Sequence, residues 1–145
     1  MDYRAIFEIS AAGMGVEKKR LEVAALNLAN MHSTAPAGTQ GYRPLRVVAH
    51  ATNLDFGALM NVEMSDSQIA AQSVSVVPSG AAPRRVQDAG HPHADAQGFV
   101  SYPGVDQATE MITAMTALRA YEANVAAVGF ARAMATRALD IGGSR

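Results

Sequence analysis

A chain of 145 residues with 49% aliphatic and aromatic side chains has the length and apolar content of one domain. Twelve basic residues against thirteen acidic ones leave a formal net charge of −1, without the electrostatic footprint of a nucleic-acid or anionic-membrane binder. The absence of cysteine excludes disulfides and thiolate chemistry.

From Tyr3 to Asn30 the sequence predicts one uninterrupted helix. Ile6, Ile9, Gly13, Val16, Arg20, Val23, Asn27 and Asn30 follow a 3-4 alternation, and Phe7, Ala11, Met14, Lys18, Leu21, Ala25 and Leu28 repeat it alongside. Residues 32–41, rich in Ser, Thr, Pro, Gly and Ala, read as a loop. Tyr42 to Ala51 has strand-like composition, with Pro44 confining it to an edge or a strand start. Residues 52–72 are ambiguous, Ser73 to Val77 alternates as a strand, and the prolines and glycines of 78–98 predict an irregular segment. After Pro103 and Gly104 a second long helix is expected over 105–141. Its face is traced by Met111, Met115, Leu118, Tyr121, Val125 and Val128, and Gly142-Gly143 is its expected stop.

The predicted fold is therefore mainly α. Long N- and C-terminal helices (1–31 and 105–145) pack as a coiled-coil-like pair around a small irregular or β middle segment (32–104). The apolar share leans on alanine and methionine, and small side chains favour close helix–helix approach. Two wide apolar faces cannot both be buried in one helix pair, and large patches are seldom left exposed by monomers. Either partner chains cover the remainder, or the pair folds back on its own middle segment. Arg4 and Glu8 interrupt the apolar core that a signal peptide needs, and no 18-residue uncharged apolar run is present. The expectation is a cytoplasmic protein, or one that leaves without a cleaved signal.

His91-Pro92-His93-Ala94-Asp95 is the one pattern that suggests chemistry. Two histidines two residues apart, with a carboxylate two further on, could form a facial set for zinc or iron in a small metallohydrolase. The flanking Gly90 and Gly98 and the intervening proline point instead to a turn, with Asp88 and Asp95 bonding nearby amides. Gly13 and Gly15 lie inside a helical pattern, so they do not make a phosphate loop. They mark close contact with a neighbouring helix or a bend. The mixed run Glu17-Lys18-Lys19-Arg20-Glu22 reads as a solvated face with a few weak ion pairs, Arg20 being a candidate for an interface.

Arg20 to Asn30 (RLEVAALNLAN), followed by Ser33-Thr34 and Gly41-Tyr42-Arg43, resembles the N-terminal signature of the flagellar axial protein family of rod, hook and hook-associated subunits. His91 to Val100 (HPHADAQGFV) and Tyr102 to Asp106 (YPGVD) are similar to the H-P-D-A-D-x-x-G-Y-V and M-P-N-V-N segments of that family's proximal rod subunits. Ala117 to Asn124 (ALRAYEAN) and Ala131 to Gly142 resemble its closing helix. Departures are His93 in place of aspartate, Gly104 and Asp106 in place of asparagine, and a reduced stretch over Ser73–Val77 and Arg84–Asp88.

The resemblance implies a non-enzymatic rod subunit of the flagellar basal body, without cofactor, metal, nucleic acid or small-molecule substrate. It would be exported by the flagellar type III apparatus and would assemble with copies of itself. Further partners would be FlgB-, FlgF- and FlgG-type rod subunits and a FliE-type junction protein. The implied interface residues are Ile6, Ile9, Val16, Val23, Leu28, Asn30, Tyr42, His91, Asp95, Met115, Leu118, Tyr121, Asn124 and Val128. Asn27, Asn30 and Asn124 could fix register between helices. Another axial subunit, a metal-binding hydrolase using His91, His93 and Asp95, and a cytoplasmic helical adaptor are the alternatives.

Overall fold

A computed structural model describes residues 3–36, 38–51 and 72–143. The element order is α1 (Tyr3–Asn30), β1 (Leu45–Ala51), β2 (Gln72–Pro78), β3 (Arg84–Gln87), β4 (Phe99–Tyr102) and α2 (Gln107–Gly143). The ambiguous stretch after residue 51 lies, up to residue 71, outside the described residues.

The first helix has the bounds its periodicity predicts. It is closed at its C-terminus by Ser33, whose amide and hydroxyl both donate to the Asn30 carbonyl, at 3.0 and 2.7 Å. Asp106 caps the second. Its Oδ1 accepts from the Ala108 amide at 3.3 Å, its Oδ2 from the Thr109 hydroxyl, and its carbonyl from the Glu110 amide at 3.0 Å. Gly142 and Gly143, expected to stop this helix, are its last turn.

Strands β1 and β2 hydrogen-bond to each other, and β3 pairs antiparallel with β4. The Ser79 amide donates to the Pro44 carbonyl at 2.7 Å, joining the end of β2 to the start of β1. β3 supplies a β element in the middle segment, within the 78–98 stretch whose prolines and glycines predict irregular chain. Arg-Arg-Val-Gln has no alternation of its own and becomes a strand because β4 supplies the ladder, with Arg84 opposite Tyr102 and Val86 opposite Val100. Arg84 lies over the Tyr102 ring (5.6 Å) and Arg85 over the Phe99 ring (4.8 Å), adding cation–π contact along the hairpin.

Two compact units are present. One comprises Met1–Lys18, Ala49–Ser75 and Ala117–Arg145, the other Lys19–Val48 and Val76–Thr116. In the first, the N-terminal half of α1 meets the C-terminal half of α2 through Gly13 and Asn124, with Ser10, Val16, Ala117 and Ala131 buried. In the second, the end of α1 meets the start of α2 through Asn27 and Glu110, and Val23, Ala24, Asn27 and Val100 are buried. Within each unit the segments of α1 and α2 thus form the expected helix pair.

Candidate functional site

The helix pair uses only part of its apolar surface. On α1 the inward positions Val16, Val23 and Asn27 belong to the first predicted stripe, whereas Lys18, Leu21 and Ala25 of the second are exposed. On α2 the inward stripe consists of small or short side chains: Ala117 and Ala131 are buried, and Ala114, Asn124, Val128 and Ala135 half-buried. The large side chains point elsewhere. Ten of them, from Met111 to Ile141, stay exposed, Met115 at 65% and Phe130 at 71%. A helix that carries a second, outward set of large apolar side chains is an element with a second partner still to meet.

The implied interface residues divide along this line. Ile9, Met115, Leu118 and Tyr121 are exposed, and Ile6, Leu28, Asn30, Asn124 and Val128 half-buried. Val16 and Val23 are covered by their own chain. The Lys19–Glu22 (2.9 Å) and Arg119–Glu122 (3.0 Å) ion pairs are solvent-exposed and contribute tenths of a kcal/mol.

The most constrained polar group is Asn27, fully buried at 0% exposure. Its Nδ2 donates to the Leu45 carbonyl (2.8 Å) and to Oε1 of Glu110 (2.9 Å). Its Oδ1 accepts from the Tyr42 hydroxyl (2.8 Å) and the Leu45 amide (2.9 Å). These four bonds exhaust a carboxamide. Burial, and after it the nearby Glu110 charge, push the Tyr42 phenol above its ordinary range, which keeps the hydroxyl a donor. The other two asparagines differ, since Nδ2 of Asn30 and of Asn124 bonds within its own helix, to the Leu26 and Ala120 carbonyls. Asn27 was singled out in the sequence only as one of three register candidates. Its place on the inward stripe, ahead of the Tyr42 loop, was the available signal.

The His91–Asp95 segment is a turn within the β3–β4 hairpin. Asp95 organises it: Oδ1 accepts the Gln97 and Phe99 amides, both at 2.9 Å, and Oδ2 pairs with the Arg85 guanidinium. The Phe99 amide foremost, with the Gln97 amide and Arg85, holds this carboxyl below the usual range. His91 Nδ1 accepts the His93 amide (3.0 Å), and His93 Nδ1 shares a hydrogen bond with the Thr34 hydroxyl (2.8 Å). The three side chains that a facial metal set requires are thus directed to separate partners, and no cluster of three or more ligating groups occurs among the described residues. A groove of about 520 Å³ lies beside this hairpin, walled by the loop between α1 and β1 and by Pro83, Phe99, Tyr102 and Pro103.

Comparison with known proteins accounts for this arrangement. Residues 96–141 match the family model described as the flagellar basal body rod FlgEFG protein C-terminal region. The chain is 34% identical to the flagellar basal-body rod protein FlgC of Escherichia coli O157:H7, over 94% of this chain and 96% of that protein. It is 33% identical to FlgC of Bacillus subtilis (92% and 94% covered) and 29% identical to FlgC of Aquifex aeolicus (97% of each).

Proposed function

The chain belongs to the FlgC family of flagellar basal-body rod proteins, and from that premise we propose that it joins its neighbours through the exposed apolar face of α2. It is a structural subunit of the flagellar rod, and its associations are with other basal-body components. The observation that carries the interface is the division of α2 into an inward stripe of small residues and an outward set of large apolar ones. Covering that outward set in the assembled rod supplies the burial that the single chain does not provide.

The finer reading follows. The neighbours are copies of this chain, FlgB-, FlgF- and FlgG-type rod subunits and a FliE-type junction protein, and the assembled helices transmit torque along the rod. Ile9, Met115, Leu118 and Tyr121 reach across first, and Leu28, Asn30 and Asn124 at their edge. The chain travels through the flagellar type III export apparatus to the periplasm-spanning rod without a cleaved signal. No described helix is long and apolar enough to cross a membrane. No catalytic role is assigned, the one constellation that suggested catalysis being tied into the hairpin turn.

The test is Met115→Glu with Leu118→Glu in a strain lacking the native subunit. Both side chains are exposed, so the helical circular dichroism of the purified chain is expected to survive while rod assembly and swimming are lost. Full motility of the double variant overturns the assignment of this face. Asn30→Ala with Asn124→Ala probes the polar positions in the same strain, and normal rods there remove them from the interface.

A further inference from the structure

We propose that Asn27 is a coupling residue that makes the placement of the loop between α1 and β1 depend on the pairing of α1 with α2. Three elements meet at one side chain, and none of its bonds returns to its own helix. Its amide gives one hydrogen to Glu110 on α2 and the other to the Leu45 carbonyl, while its oxygen receives the Leu45 amide and the Tyr42 hydroxyl. Leu45 is therefore held by both main-chain groups, as a neighbouring strand would hold it. The side chain of a helix residue serves as the ladder on which β1 begins.

The orientation of the carboxamide is the shared variable. With Glu110 in place, nitrogen and oxygen have distinct partners, and reversing the group would set donor against donor and acceptor against acceptor. Withdrawing Glu110 leaves a buried N–H unpaired. It also leaves the group held by Leu45 and Tyr42 alone, without its anchor on α2. Tyr42 and Pro44 wall the groove beside the hairpin, so the shape of that groove follows the state of the helix pair. The coupling is a property of the single chain and does not rest on how the rod is built. Its failure and the failure of the α2 interface are therefore separate results.

Hydrogen exchange of the full chain, followed by NMR, tests this at two amides: Leu45, which reports the loop, and Glu110, whose amide bonds the Asp106 carbonyl and reports the start of α2. Glu110→Ala is expected to speed Leu45 exchange about tenfold, within the usual range for coupled sites. Glu110→Gln, which keeps an acceptor oxygen, is expected to leave it near wild type. Coupling is reciprocal, so Tyr42→Phe, which removes a bond to α1 and none to α2, must in turn speed exchange at Glu110. Unchanged Leu45 protection in a folded Glu110→Ala chain overturns the proposal, as does a Tyr42→Phe chain with Glu110 unmoved. Should Glu110→Ala not fold, the wild-type chain in sub-denaturing urea decides: a shared opening of the two amides supports coupling, and Leu45 still protected after Glu110 opens refutes it.

Discussion

A Cβ placed on Gly13 would lie 2.9 Å from Oδ1 of Asn124, so a side chain at that point of the α1–α2 contact would have to displace the Asn124 carboxamide. Gly15, two positions on, would meet nothing within 4 Å among the described residues. Both glycines cost the helix about 1 kcal/mol relative to alanine. Gly15→Ala should recover that amount. Gly13→Ala should forfeit it, because Asn124 must swing aside and break its 2.9 Å bond to the Ala120 carbonyl. Urea unfolding of the two variants checks the difference, and equal gains would remove the packing role of Gly13. Adding Asn124→Ala to Gly13→Ala should restore the gain, which identifies the contact.

The asparagines on α1 should separate just as clearly. Asn27→Ala leaves the Leu45 amide and carbonyl and the Tyr42 hydroxyl without their buried partner, a loss of about 3 kcal/mol. Asn30→Ala removes one exposed bond within its own helix and should stay within about 0.5 kcal/mol of wild type. The comparison is a pair of urea midpoints at unchanged slope. A mild Asn27→Ala variant would mean that water replaces the missing carboxamide.

Much of this molecule was legible in its residues, for identifiable reasons. The 3-4 spacing of Ile6 through Asn30, unbroken by proline, gave α1 its bounds, and the pairing of the two long helices followed from two such stripes. The face that each helix turns inward was harder to read on α2. Large apolar residues there trace a regular stripe, yet it is Ala117 and Ala131 that are buried while Met111, Met115 and Leu118 stay exposed. β3 was hidden because Arg84 to Gln87 has strand character only opposite Phe99 to Tyr102. Of the HPHAD pattern, the turn chemistry of Asp95 was readable from the flanking glycines. The partners of the two histidine Nδ1 atoms, a backbone amide and Thr34, were not, since Thr34 is distant in sequence.

Acid should loosen the hairpin turn and the start of α2 together. The Phe99 amide foremost lowers the Asp95 carboxyl, and the Thr109 hydroxyl foremost lowers that of Asp106, with the Ala108 and Thr109 amides adding to it. A carboxyl depressed in the folded state contributes stability that is complete above its unfolded value of about 3.9 and vanishes as pH falls through the folded value. Melting temperature should therefore hold down to about pH 4 from this source and decline below it. Asp95→Asn, which retains an acceptor for Phe99 but no charge for Arg85, should flatten part of that decline. A variant profile parallel to wild type would exclude Asp95 as a contributor.

Gly104 offers the sharpest contrast with Gly13, because what crowds it is backbone. A Cβ there would fall on the Ala82 carbonyl oxygen, 3.1 Å from its carbon and 3.3 Å from the Ala81 Cβ. Asn124 can rotate away from an alanine at position 13, whereas the Ala81–Ala82 chain, leading into β3, can yield only by moving the strand. The segment before β3 thus packs more closely against this glycine than a side chain would permit. Gly104→Asn should lower stability by about 2 kcal/mol or more, the range of an overpacked site, and Gly104→Ala nearly as much. Thermal unfolding of both variants measures it. A Gly104→Asn chain as stable as wild type would show that residues 81–83 are free to withdraw, and that the tight contact does not constrain the start of the hairpin.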